Sequence, residues 1–211
     1  MVTVILVDVL IFAVLLAADL VSKHYAASLL APSGSYEAIK NVLTFRYSEN
    51  RGAAFGIFED SRLFLSLFVG IVILAIVAFL VWHIVKKKYK EKGGVWLHVA
   101  LSFILAGGVG NLVDRIALGY VRDFIEYSFL YTLFEYRFAI CNLADVFLTV
   151  GVIMVVIYLI VMMADEVKKG KKKGEALTEE IPAEGKDAET PAAREKESAS
   201  DEDREKDSDE S

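Results

Sequence analysis

The sequence predicts an all-α membrane protein with four transmembrane helices and a disordered acidic C-terminal tail. Three observations predict this fold class. Hydrophobic residues make up 55% of the 211 residues, and the mean hydropathy is +0.44. The hydrophobic residues lie in blocks long enough to cross a bilayer, and not in the narrow stripes of soluble amphipathic helices. The acidic residues are concentrated after the last of these blocks.

The charge of the chain is divided between two regions. Residues 175–211 hold 15 acidic and 5 basic side chains, so residues 1–174 carry a net charge of +4 although the whole chain carries -6. A segment this poor in apolar residues buries too little surface to fold. We therefore expect a four-helix membrane domain at residues 1–167, followed at 168–211 by a basic juxtamembrane stretch and the disordered tail.

The first apolar block runs from about Val4 to Leu20 and is interrupted only by Asp8. It predicts a transmembrane helix and not a signal peptide, because it has no basic segment before it and no small-residue cleavage pattern after it. Asp19 and Lys23 lie four residues apart on one helical face and can pair. This pair either supports a functional site or is an interfacial ion pair whose lysine extends outward. Asp8, about three turns earlier, is expected on a similar face, where it serves helix packing.

The loop at residues 31–61 contains the first polar candidates. Val42–Tyr47 alternates apolar and polar residues, which predicts a short strand. Asn50 and Gly52 follow it. A glycine permits close backbone approach, and an asparagine amide can bind a peptide backbone, although from the sequence alone an ordinary turn is the favoured explanation of both residues.

Three further apolar blocks are long enough to span, at about residues 63–85, 94–112 and 143–163. The lysine-rich stretches 86–92 and 168–173 mark the cytoplasmic side under the positive-inside rule. Both termini are therefore expected to be cytoplasmic. The loops at 31–61 and 116–140 then face outward, so the candidate functional groups gather at the outer membrane surface.

The end of the third block presents polar residues on one face. Gly107, Asn111 and Arg115 recur at intervals of four. Glycines make this end slim enough for a helix or substrate to approach: Gly107, Gly108 and Gly110. Arg115 needs an acidic or carbonyl partner. A salt bridge with Asp19 or Asp114 and a contact with a ligand both remain open.

Two aspartates from separate elements suggest an aspartyl protease. Asp123 precedes an aromatic run, and Asp145 lies three residues after Asn142 at the start of the fourth block. Such a site uses one carboxylate to take a proton from water and one carboxylic acid to polarise the scissile carbonyl. Close carboxylates cannot both ionise, so the pair shares a proton near neutral pH.

Five short blocks carry a resemblance to a known family: ADLVSK, NRGAAF, GGVGNLVDR, VRDF and CNLAD. In this order they resemble the signature blocks of signal peptidase II, the lipoprotein signal peptidase of bacteria, over about residues 4–165. The resemblance implies an aspartic endopeptidase that removes the signal peptide of a diacylglyceryl-modified prolipoprotein, just before the lipidated cysteine. It also implies a small extracytoplasmic β-cradle within residues 33–60 and an interfacial helix.

The resemblance assigns roles to matching positions. The catalytic pair would be Asp123 and Asp145. The substrate-binding residues would be Asn50, Gly52, Asn111, Arg115 and Asn142. The residues that support the site would be Asp19, Lys23 and Asp114. One departure is Cys141, which stands where the family usually has phenylalanine and puts the local packing in doubt.

No cofactor or metal is expected, and water is the only co-reactant. The chain has one cysteine and three histidines without metal-ligand spacing: His24, His83 and His98. The expected partners are lipid-modified prolipoproteins and membrane lipids, with no nucleic acid, and the expected state is a monomer. The expected location is the bacterial cytoplasmic (inner) membrane, multi-pass, with the active site near the outer leaflet surface.

Two other interpretations compete with a protease of this kind. A small transporter or scaffold also places acids and asparagines in its spans. A proton relay, however, would distribute ionisable groups through the bilayer, and here only Asp8 could extend the series inward. A serine protease with Lys23 as base would need a distant serine, because the adjacent Ser22 cannot face the lysine on a helix.

Overall fold

The computed structural model describes residues 1–52, 62–135 and 139–179. Five α-helices lie in this part of the chain: α1 (Val2–Ser33), α2 (Arg62–Val85), α3 (Gly94–Ala117), α4 (Ser128–Phe134) and α5 (Leu143–Glu179). A short 3-10 turn covers Lys88–Lys90, between α2 and α3. Three β-strands lie in the same part of the chain: β1 (Ser35–Ile39), β2 (Leu43–Asn50) and β3 (Val121–Glu126).

The four long helices confirm the predicted spans, since each is long and apolar enough to cross a membrane. α1 extends well beyond the predicted end at Leu20. It ends where Gly34 adopts a φ of 85° and its N–H donates to the Leu30 carbonyl. α5 continues past the predicted end at Met163, and residues 180–211 of the predicted tail lie outside the described residues. The chain divides into the units Met1–Ala164 and Asp165–Ser211, and the site lies in the first.

The strands form one antiparallel sheet in the order β1-β2-β3. β1 and β2 fall within the predicted cradle, and β2 contains the predicted strand Val42–Tyr47 except for Val42. β3 falls outside the predicted range, because it belongs to the loop before α5. Its residues are buried or half-buried on both faces, so no alternation marks it in the sequence. Pairing places Ser48 of β2 opposite Asp123 of β3.

Helix α3 is the centre of the helical packing, since it is far more buried than the other three spans. Small residues bring its neighbours close. A Cβ added at Gly107 would collide with the Ala144 carbonyl oxygen of α5, and one added at Gly110 would collide with Asp19 of α1. These close approaches are the packing mode of membrane helices, which gain little from the hydrophobic effect between themselves.

A second polar cluster joins α1, α2 and α3 away from the aspartate pair. His98 Nδ1 lies 2.7 Å from Asp8 Oδ2, and His98 Nε2 lies 3.0 Å from His83 Nδ1. Both histidines are buried. Asp8 therefore contributes to helix packing, as expected, through His98 of α3, which in turn contacts His83 of α2.

Candidate active site

The two aspartates approach the site on different elements. Asp123 lies on β3 and is only 2% exposed, while Asp145 lies in the first turn of α5. Asn142, fully buried just before α5, contacts both. Its side-chain amide donates to Asp123 Oδ1, and its backbone N–H donates to Asp145 Oδ2 at 3.1 Å. The structure therefore links both carboxyls through one asparagine.

Asn111 connects this pair to the helix core. Its Nδ2 donates to Asp145 Oδ1 at 2.8 Å, and its Oδ1 accepts from Asn142 Nδ2 at 3.1 Å. The same Oδ1 accepts from Lys23 Nζ at 2.8 Å. The Asn111 amide orientation is thus fixed by a cation on one side and a carboxylate on the other.

Lys23 is the buried cation of the site. Its Nζ lies 2.8 Å from Asp19 Oδ2 and 3.6 Å from Asp114 Oδ2, and all three side chains are almost completely enclosed. Asp19 Oδ1 also accepts from the Ala144 backbone N–H at 2.9 Å, which fixes the start of α5. Breaking a buried pair of this kind leaves an uncompensated charge, so Asp19, Lys23 and Asp114 hold α1, α3 and the start of α5 together. The interpretation of an outward-reaching interfacial lysine is therefore wrong.

Arg122 is a site residue that the sequence analysis did not single out. Its guanidinium contacts both Asp114 oxygens, with Nη2 2.6 Å from Oδ1 and Nε 3.2 Å from Oδ2. Its backbone N–H donates to the same carboxylate at 2.9 Å. These bonds attach the start of β3 to α3 and so position Asp123, the next residue. The signal for this role was the basic residue inside the VRDF block.

Asn50 approaches the pair from the end of β2. Its Nδ2 donates to Asp123 Oδ2 at 3.0 Å, and its Oδ1 accepts from the Gly52 backbone N–H at 3.2 Å. Asp123 is thus bonded by asparagine amides on both oxygens. The next residues, 53–61, lie outside the described part of the chain.

Arg115 does not form the salt bridge considered from the sequence. Asp19 is paired with Lys23, and Asp114 with Lys23 and Arg122, in the described residues. Arg115 Nη1 donates to the Asn111 carbonyl at 3.3 Å, and the carboxylates of Asp145 and Asp123 act electrostatically on its guanidinium. Its charge therefore lies within electrostatic reach of the aspartate pair and of Asp114.

Burial, together with the nearby charge of Asp145, raises the pKa of Asp123 from 3.8 to about 6. The amides of Asn50 and Asn142 oppose this, because they bind the ionised form. A carboxyl with a pKa near 6 can hold or release a proton close to neutral pH. That property is what acid and base work at one site requires.

Cys141 does not disturb the packing as the sequence suggested. Its backbone pairs with Ile125 in both directions, with N–H to O distances of 2.8 and 3.0 Å. Its side chain is half-buried beside the apolar cluster of Ala26, Phe124 and Ile125. Burial and the two aspartates raise the pKa of its thiol to about 11, so it remains a neutral thiol.

The arrangement brings two acids of unequal environment into one hydrogen-bond network. Among the residues that the structure describes, no three His, Cys, Asp or Glu side chains converge as metal ligands. Within the described ranges, the polar partners of Lys23 Nζ are Asp19, Asp114 and Asn111 and include no serine, which disfavours the serine–lysine alternative. Four candidate spans, with two aspartates joined by one hydrogen-bond network at the end of α3, define a multi-pass membrane protein with a candidate two-carboxylate site.

Residues 11–161 match the family model described as signal peptidase (SPase) II, and the chain belongs to that family. A lipoprotein signal peptidase of Clostridium tetani is 37% identical over 153 residues, which cover 72% of this chain and 92% of that protein. One from Streptococcus thermophilus is 36% identical over 137 residues, which cover 65% and 81%. A solved structure described as a bacterial membrane enzyme aligns with a TM-score of 0.62 at 30% identity, covering 75% of this chain and 90% of that one.

Proposed function

We propose that Asp123 and Asp145 are the catalytic pair of a protease that removes signal peptides from prolipoproteins. The observation that carries this is the asparagine bridge, in which Asn142 binds both carboxyls while Asn111 binds the second. With its raised pKa, Asp123 is the member that holds the shared proton as a carboxylic acid. Asp145, hydrogen-bonded to backbone and amide N–H groups, is then the carboxylate that takes a proton from water.

The substrate-facing groups follow from the same network. Asn50 donates to Asp123, the Gly52 N–H donates to Asn50, and the Arg115 guanidinium lies within electrostatic reach of both aspartates. Asn111 and Asn142 are engaged in fixing the carboxyls, and they bind substrate only by exchanging one of those bonds. The proposed substrate is a diacylglyceryl-modified prolipoprotein, cleaved just before the lipidated cysteine, and surrounding membrane lipids are the other partner.

Membrane orientation follows from charge. The lysine-rich stretches at 86–92 and 168–173 are assigned to the cytoplasm under the positive-inside rule. Both termini are then cytoplasmic in a bacterial inner membrane, and the aspartate pair lies near the outer leaflet. We assign catalysis to residues 1–167 acting as a monomer without nucleic acid, and no catalytic role to 168–211.

The test is cleavage of a purified prolipoprotein with and without its diacylglyceryl group. Asp123→Asn and Asp145→Asn should each abolish cleavage while the protein still inserts. The matched control is Asp8→Asn, which changes an intramembrane aspartate of the second cluster and should still cleave. Substantial cleavage by either active-site variant would remove that residue from the pair, and equal cleavage of the unlipidated precursor would contradict the proposed substrate.

A further inference from the structure

A long groove lies between α2, α3 and α5, next to the loop that joins α2 and α3. Its volume is about 620 Å³. Apolar side chains from all three helices form its walls: Val72, Ile76, Phe79, Leu101, Val155 and Leu159. Val72 to Trp82 spans about 15 Å along α2, which is close to the thickness of one leaflet of the hydrocarbon core.

The end of the groove near the loop is polar and aromatic. Trp82, His83 and Tyr158 line it, together with Lys88 and Glu91. Tryptophan and tyrosine are enriched where lipid head groups begin, because their rings are apolar and their N–H or O–H groups are polar. The groove therefore has an acyl-chain section and a head-group section.

The head-group section is positively charged. The loop holds five lysines and one glutamate in residues 86–92. Lys88 Nζ pairs with Glu91 Oε1 at 2.6 Å, and Lys86, Lys87 and Lys90 are exposed. α3 begins at Gly94 without a side-chain cap, so the positive end of its dipole adds to the same field.

We infer that this groove binds one anionic phospholipid from the leaflet beside the lysine loop. An acyl chain lies against the apolar walls, and the phosphate lies at the Lys88 end. Charge also argues against the other apolar segment that could occupy the groove, the hydrophobic helix of a signal peptide. The segment before that helix is basic, and the lysine loop would repel it.

Native mass spectrometry of the detergent-solubilised full chain can test this with phosphatidylglycerol and phosphatidylcholine of identical acyl chains. Phosphatidylglycerol should bind more tightly. Lys88→Gln should weaken its binding by about fivefold, the factor expected for one basic residue near an anionic head group. Lys40→Gln, in the turn between β1 and β2, removes the same charge away from the groove and should have no effect.

The Lys88–Glu91 ion pair predicts a change in lipid binding whose direction differs from that expected of a purely structural ion pair. Glu91→Gln frees Lys88 and removes a negative charge, so it should tighten phosphatidylglycerol binding. If the Lys88–Glu91 pair only held the loop together, both Lys88→Gln and Glu91→Gln would weaken phosphatidylglycerol binding. That result would overturn the inference.

Steric variants separate this groove from general lipid contact. Ala75→Trp fills the wall of the groove and should remove the binding of both lipids, whereas Ala78→Trp, exposed on α2 outside the lining, should not. Equal binding of the two lipids, or unchanged binding in Ala75→Trp, would contradict the inference. A photocrosslinker at Val155 that captures a precursor peptide in preference to lipid would assign the groove to the substrate helix and overturn it.

Discussion

The Asn142 side-chain amide donates a hydrogen bond to Asp123 Oδ1, from a position fixed by the first turn of α5. The Asn142 Oδ1 in turn accepts from the Asp145 backbone N–H at 3.0 Å. One amide side chain thus joins β3 to the helix that carries the other acid. The relative position of the two carboxyls therefore depends on this side chain.

Asn142→Ala should therefore reduce kcat by roughly 100-fold, because misplacement of a catalytic group by about 1 Å costs that much. KM should change less, since the rest of the substrate surface remains. Asn142→Asp is the informative companion, as it keeps the shape and replaces a donor by a third acid. Steady-state kinetics on a lipidated precursor measures kcat and KM of both variants. A near-normal kcat in Asn142→Ala would show that the Asn142 bridge does not position the aspartate pair.

Asn50→Ala should shift the pH dependence of cleavage. The Asn50 amide binds the ionised Asp123 and lowers its pKa, so its loss should raise the pKa above about 6. If Asp123 acts as the acid, kcat/KM of the normal enzyme falls as pH rises through that pKa. The falling limb should then move to higher pH in the variant. Glu37→Gln is the control, because this exposed carboxylate in β1 accepts a local hydrogen bond from the Asn41 N–H.

Asp123 should also make folding stability pH-dependent, with a sign opposite to that of a salt-bridged carboxylate. Its pKa is about 6 in the folded protein and 3.8 as the reference value. Between these values the folded state binds the extra proton, so the free energy of unfolding falls as pH rises from about 4 to about 6. The full loss is on the order of 3 kcal/mol.

Asp123→Asn should remove this dependence, because the asparagine does not ionise. Melting curves in detergent at pH 4.5 and 7.5 should show the variant gaining stability relative to the normal protein as pH rises. The other carboxyls titrate in both proteins and cancel in the comparison. A difference between the two melting temperatures that is constant with pH would contradict a raised Asp123 pKa.

The sequence predicted the parts of the fold that hydropathy encodes. α2 lies within one residue of its predicted bounds, because an abrupt lysine stretch follows Val85. The end of α1 was missed because hydropathy marks the edge of the bilayer, whereas the helix continues to Ser33 until Gly34 ends it. β3 was missed because both of its faces are buried, so the period-2 pattern is absent.

Contacts between residues far apart in the sequence could not be predicted, for a different reason. The spacing of Asp19 and Lys23 predicted their pair, since four residues make one helical face. Nothing local predicts that Asp114 binds Arg122 across a turn, or that Asp8 and His98 meet across two helices. Such pairs depend on how helices are arranged, which only the family resemblance could indicate.

Gly110→Ala should damage both stability and activity, because the new Cβ would collide with the Asp19 carboxylate that binds Lys23. Gly108→Ala is the matched control on the same helix. Its Cβ would lie 3.5 Å from the nearest Ile73 atom, an ordinary contact. Thermal melts and cleavage assays should show loss in the first variant and little change in the second. Equal behaviour of the two would mean that the close approach at Gly110 does not hold the site.

Asp8 offers a test of the second polar cluster, since its Oδ2 accepts from the buried His98 ring. Asp8→Leu removes the acceptor and leaves a buried donor unsatisfied, which should cost about 1–3 kcal/mol. Asp8→Asn keeps an acceptor oxygen and should cost clearly less. Unfolding measurements on Asp8→Leu and Asp8→Asn test this expectation. Similar losses in the free energy of unfolding would show that packing volume matters at this position and the hydrogen bond does not. Both should retain cleavage activity, because α1 carries Asp8 about 16 Å from Asp19 along the helix axis.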